Sequence, residues 1–109
     1  MKKLIVAGLL IPIICQAEFF TGNDLLTRLQ SSSIVERSQA LGYIQGVFDV
    51  YMHVTICPPQ GGTTVTAGQI QDMVRSYLEA NPSIRHRNAE ALINDSLKQF
   101  WPCRNRNGV

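Results

Sequence analysis

The sequence predicts an all-α fold, a small bundle of about four helices, on three observations. Apolar residues recur at three- and four-residue steps in each long segment, helix-capping signatures stand at the segment starts, and prolines fall at the breaks. The run Thr63–Thr66 has β-propensity but is too short to build a sheet.

The first helix is expected in "FTGNDLLTRL", with Asn23 or Thr21 as N-cap before Leu25, Leu26 and Leu29. Ser31 to Ser33 form a turn, and Ser33 with Glu36 makes a capping box for the second helix. That helix carries Leu41, Ile44, Val47, Phe48, Tyr51 and Met52 on one face, with Gln45 and Asp49 opposite. Pro58 and Pro59 are expected to end it, the β-branched Val54, Thr55 and Ile56 fraying its last turn. Thr66 and Gln69 box the start of the third helix, whose stripe is Ile70, Met73, Val74, Tyr77 and Leu78. Asn81-Pro82 reads as a cap followed by proline at the first position of the fourth helix. Its apolar face is Ala89, Leu92, Ile93, Leu97 and Phe100, and Trp101-Pro102 closes it. In an up-and-down arrangement, helices two and four point the same way and end side by side.

The chain has 109 residues, enough for one domain. Residues 1–17 have the layout of a secretory signal peptide. Lys2 and Lys3 precede the apolar run Leu4–Ile14, which is too short to span a bilayer, and Cys15-Gln16-Ala17 offers a cleavage site. Residues 18–109 then form the helical domain. Ten Lys and Arg oppose eight Asp and Glu, and the two lysines leave with the leader, so the mature chain is balanced. Balance gives no general attraction for nucleic acid, nor for a membrane once the leader is cut.

Cys57 and Cys103 remain after cleavage, and two cysteines in an exported protein of this size read as one disulfide. It would pin the segment after helix two to the segment after helix four and contribute about 4 kcal/mol in the chain-entropy model.

No catalytic constellation, metal-ligand spacing or phosphate-cradling loop is present, so neither catalysis, a cofactor nor a metal is expected. His53 and Asp49 share a helical spacing but read as an ordinary polar pair. Three features remain as candidate contact sites. The polar connector "PPQGGTTV" (Pro58 to Val65) offers Pro59, Gln60, Gly61, Gly62, Thr63 and Thr64 for recognition, or is a plain connector. "IRHRN" (Ile84 to Asn88) offers Arg85, His86 and Arg87 to an acidic partner, or is a solvated helix face flanked by Glu79 and Glu90. Gly42 and Gly46 leave a flat patch on helix two, either for packing against helix three or four or for the seam of a homodimer.

The ordered set "GYIQGVFD" (Gly42 to Asp49), "CPP" (Cys57 to Pro59), "VTAGQI", "YLEANP" and "FWPC" resembles the Rap/Tai family of immunity proteins across roughly residues 38–103. The resemblance implies a helical periplasmic protein, often a homodimer, that binds a cognate peptidoglycan amidase delivered by type VI secretion and blocks its active-site cleft. It also matches Cys57 and Cys103 to the family's disulfide. Some relatives carry a further cysteine before the G-Y-I element, where this chain has Arg37-Ser38-Gln39-Ala40. A different expectation from the same composition is a small periplasmic acid-stress chaperone or another envelope binding protein.

Overall fold

The computed structural model describes residues 20–59 and 65–104, and the proposed leader lies outside them. Four α-helices follow in order: α1 (Gly22–Leu29), α2 (Ile34–Tyr51), α3 (Ala67–Ala80) and α4 (Ala89–Phe100). A 3-10 turn, Pro82–Ile84, stands between α3 and α4. Among the described residues there is no strand, only isolated bridges such as Thr21 with Asn88. Each helix packs against the other three.

Local chemistry sets most of the boundaries. Thr21 caps α1, its hydroxyl accepting from the Asp24 amide at 3.2 Å while Asp24 accepts from the Thr21 amide at 3.0 Å. Thr66 and Gln69 form the expected reciprocal box on α3, at 3.1 and 2.9 Å. At α2 only half of the expected box forms. Ser33 accepts from the Glu36 amide, but its own amide donates to the Ser31 hydroxyl at 2.9 Å, leaving nothing for the Glu36 carboxylate.

Two boundaries depart from expectation. The second helix ends at Tyr51, well before Pro58. Met52 is extended and His53 takes φ 67°, the left-handed region. The amides of Val54, Thr55 and Ile56 then converge on the Tyr51 carbonyl. The gain from stopping early is Ile56, which becomes fully buried on leaving the helix. The fourth helix starts at Ala89, not after Asn81. The Asn81 side chain turns back to donate to the Tyr77 carbonyl at 2.8 Å, closing α3, and Asn88 caps α4 by accepting from the Glu90 amide at 2.9 Å. The chain from Arg85 to Asn88 is therefore a turn.

That turn is needed elsewhere. The amides of Gly22 and Asn23, which no helix can satisfy from within, donate to the carbonyls of Arg87 (3.0 Å) and Arg85 (2.8 Å). The Ala89 amide returns a bond to the Phe20 carbonyl at 2.7 Å. The start of α1 thus lies beside the start of α4, whereas strict up-and-down alternation would place it beside the end.

The core is built from Leu25, Leu26 and Leu29 of α1, Ala40, Ile44, Val47 and Phe48 of α2, Ile70, Val74 and Leu78 of α3, and Ala89, Leu92, Ile93 and Leu97 of α4, with Ile56. Met52, Met73 and Tyr77 are half-buried at its margin, whereas Leu41, expected on the same face, is half-buried away from the core beside Ile34 and Arg37. Buried Ser96 donates to the Ile93 carbonyl and leaves no unmet group. Phe100, expected on the core face, is 56% exposed. Trp101 turns inward instead and meets the Phe48 ring edge-on at 6.4 Å.

The expected disulfide is present, Cys57 to Cys103, with the Cα atoms 4.9 Å apart. It joins the segments that follow α2 and α4. Between Tyr51 and Cys57 the chain runs along α4: the Tyr51 hydroxyl meets Glu90, the Thr55 hydroxyl meets Asn94, and the Cys57 amide meets the Trp101 carbonyl.

Gly22 is the point where α1 touches both neighbouring helices. A Cβ there would lie 2.5 Å from Leu92 Cδ1, 3.0 Å from the Arg85 carbonyl and 3.2 Å from Leu78 Cδ2. The carbonyl is itself held by Asn23, so it has little room to withdraw. Gly22→Ala is expected to destabilise the fold by about 2 kcal/mol, read as a lower urea midpoint at unchanged slope.

Candidate functional site

The first candidate, the connector after the disulfide, is described only at its base. Pro59 is exposed next to the half-buried Cys57 and Pro58; Gln60, Gly61, Gly62, Thr63 and Thr64 lie outside the described residues. The base is firmly placed by the disulfide, the buried Ile56 and the 2.7 Å bond from Cys57 to Trp101.

The second candidate, Arg85 to Arg87, is the turn that clasps α1. Its backbone is fixed by carbonyl bonds while its side chains face outward to different degrees: His86 and Arg87 are exposed and Arg85 is half-buried. The carboxylates expected to offset its charge are engaged elsewhere. Glu79 pairs with Arg75 at 3.2 Å and Glu90 accepts from Tyr51 at 2.7 Å. Asp95, nearly two helix turns into α4, is the acid that faces Arg87, at 3.9 Å and partly exposed, a contact of little energy. Among the described residues the Arg85 guanidinium makes no ion pair, and its Nε is buried without a hydrogen-bond partner.

These two candidates are not brought together. One precedes α4 and the other lies beyond its end, so the twelve residues of α4 hold them apart by about 18 Å. A backbone-anchored turn marks the start of that helix, and the anchored base of the connector lies near its end.

The third candidate is resolved in one respect. Gly42 and Gly46 are exposed, and a Cβ on either would have nothing within 4 Å. Neither glycine is there for packing against α3 or α4. They floor an open groove of about 430 Å³ with Tyr43, Val47, Val50, Tyr51 and Glu90 around it. Val50 at its end is 66% exposed.

The polar side of this groove was not visible as a unit in the sequence. Tyr51 and Glu90 are 39 positions apart, and helical periodicity presents Tyr51 only as an apolar-face residue. The bond from the Tyr51 hydroxyl to Glu90, then burial and the Glu90 charge, raise the Tyr51 pKa above its usual value. Tyr43 is raised too, by burial first and the Glu90 charge second. His53, expected beside Asp49 on helix two, has left the helix and is exposed. Among the described residues no group of three His, Cys, Asp or Glu is placed to hold a metal ion.

Comparison with known families decides what kind of scaffold this is. The model of the Rap1a immunity proteins matches residues 21–103, which is the bundle from the cap of α1 to the second disulfide cysteine. The chain belongs to the Rap1a immunity protein family. No curated protein matches it. As a Rap1a-family member it is an immunity protein against a toxin, and the match begins at the cap and ends at the disulfide, so every helix and the cross-link belong to that scaffold.

In a raised tyrosine the protonated phenol is the form the fold favours. The Tyr51–Glu90 tie is therefore intact below the ordinary tyrosine pKa of about 10 and is lost as pH rises beyond it. Titration of the tyrosine ring carbons by NMR should place Tyr51 above an unfolded tyrosine, and Glu90→Gln should bring it down.

Proposed function

We propose that this Rap1a-family protein acts in the periplasm, where it binds a type VI secretion peptidoglycan amidase and occludes its active-site cleft. The observation that carries the reading is the family match over the whole bundle. Supporting it are the leader-like residues 1–17 and the disulfide, which belongs in an oxidising compartment. Inhibition in this reading is stoichiometric binding and uses no cofactor.

The toxin contacts are assigned to the two turns at the ends of α4. Backbone bonds hold the Arg85–Arg87 turn and the base of the connector, up to Cys57, in place before any partner arrives, which lowers the ordering cost at those points. The Arg85–Arg87 turn offers donors for an acidic or carbonyl-rich cleft rim, and the connector led by Pro59 offers an uncharged, polar second contact.

The reading includes a homodimer built on the groove of α2. Gly42, Gly46 and Val50 recur at four-residue steps, two hollows followed by one exposed projection. An antiparallel two-fold pairing centred on Gly46 sets Val50 of each copy over Gly42 of the other, an isologous contact.

The test of the immunity role is co-expression. A periplasm-targeted amidase encoded beside this gene is expected to lyse cells, and this protein is expected to rescue them only when residues 1–17 are kept. Rescue without the leader, or none with it, overturns the reading. Arg87→Glu is expected to weaken toxin binding at least about tenfold, about 1.4 kcal/mol, by calorimetry with the folded variant.

The dimer is tested by light scattering after gel filtration. The wild-type chain should run at twice the monomer mass and Gly46→Gln as a folded monomer.

A further inference from the structure

The connector between α2 and the disulfide differs from the rest of the molecule in what holds it. Of the fifteen buried apolar side chains among the described residues, fourteen lie on the four helices and one, Ile56, lies on the connector. Neither cysteine contributes to that core; both are half-buried at its edge. The helical core is therefore complete without the cross-link.

The connector is not. It begins at His53 in the left-handed region, which is unfavourable for a side chain with a Cβ. Ile56 is buried in the core, Thr55 bonds Asn94 of α4 at 2.6 Å, Cys57 bonds the Trp101 carbonyl just past α4 at 2.7 Å, and within the connector the amides of His53 to Ile56 bond the carbonyls of Ile56 and Tyr51. Against those stands the conformational freedom of residues 52–57. The covalent bond to Cys103 adds to the docked side of that balance.

We propose that the Cys57–Cys103 disulfide is a redox-set latch on the 52–57 connector rather than the support of the fold. With the bond formed, the connector is docked along α4 and Pro58–Pro59 leave from a fixed point. With it reduced, the connector detaches and the four helices stay packed. Closing the latch is a thiol–disulfide exchange with a protein disulfide as oxidant. One cysteine thiolate attacks a sulfur of that disulfide, forming a mixed disulfide and expelling the first thiolate. The other cysteine thiolate then attacks the mixed disulfide at the cysteine sulfur and expels the second. Two protons and two electrons leave this chain, and the oxidant ends as a dithiol. Its consequence for the toxin rests on the proposed function: the chain becomes a full inhibitor only after export and oxidation.

The latch is tested on this protein alone. Nitrogen-15 relaxation is measured on the exported, purified chain, oxidised and then reduced with a phosphine, and on Cys57→Ser/Cys103→Ser. Oxidised, the amides of residues 53–57 are expected to show order parameters near those of the helices, about 0.85. Reduced, and in the double variant, they are expected to fall below about 0.6 while the helical amides keep theirs. Glutathione disulfide should restore the reduced wild type and leave the double variant unchanged. Residues 53–57 that stay ordered after reduction overturn the latch, and so does a reduced chain whose helical signals collapse. Neither result depends on a toxin, so failure of the immunity reading would leave the latch standing, and loss of the latch would leave immunity standing.

Discussion

The bundle hangs on the exchange of backbone hydrogen bonds between the start of α1 and the turn before α4. Gly22 and Asn23 give their free amides to Arg87 and Arg85, and Phe20 takes the amide of Ala89. Buried helix ends must find partners, and here two ends supply each other. Gly22 makes it possible, since any larger residue would meet Leu92 and the Arg85 carbonyl. Phe20 extends the clasp to α2 through an edge-on contact with Tyr43 at 4.8 Å, and Arg28 lies 5.3 Å above the Phe20 ring. One short segment thereby positions all of the longer helices.

The same economy governs the candidate binding surfaces. A turn that satisfies α1 with its carbonyls leaves the exposed side chains of His86 and Arg87 for other uses. At the far end of α4, Ile56, Trp101 and the disulfide fix the point from which the Pro58–Pro59 connector departs. Along the α2 face, bare glycines and an exposed valine leave a surface that no part of the described chain covers. A protein whose work is to bind another protein needs firm, open surfaces more than it needs reactive groups, and the described residues include the Arg85–Arg87 turn and the open face of α2.

Much of this was legible in the residues. The Thr66–Gln69 capping pair carries its message locally, because donor and acceptor are three residues apart, and Thr21 was one of the two caps offered for α1. The disulfide followed from the two cysteines that remain once residues 1–17 are read as a leader. The end of α2 did not: periodicity continues through Tyr51 and the prolines come later, while the actual stop depends on where Ile56 can be buried. The start of α4 misled in the same way, because Asn81-Pro82 is a sound helix start whose asparagine was needed by α3. Phe100 fits the helical face, yet the core has ended by then and Trp101 takes the inner position.

The sequence by itself determined the number of helices, most of the residues they bury, the Thr66–Gln69 cap and the pairing of Cys57 with Cys103. These depend on spacings within one segment, or on there being a single choice. Tertiary structure decided that Gly42 and Gly46 stay open, that Tyr51 meets Glu90, and that Arg85 to Arg87 form a clasp rather than a helix face. Each of those joins residues distant in the chain, and a local pattern carries no information about which distant amide lacks a partner or which distant face is left uncovered.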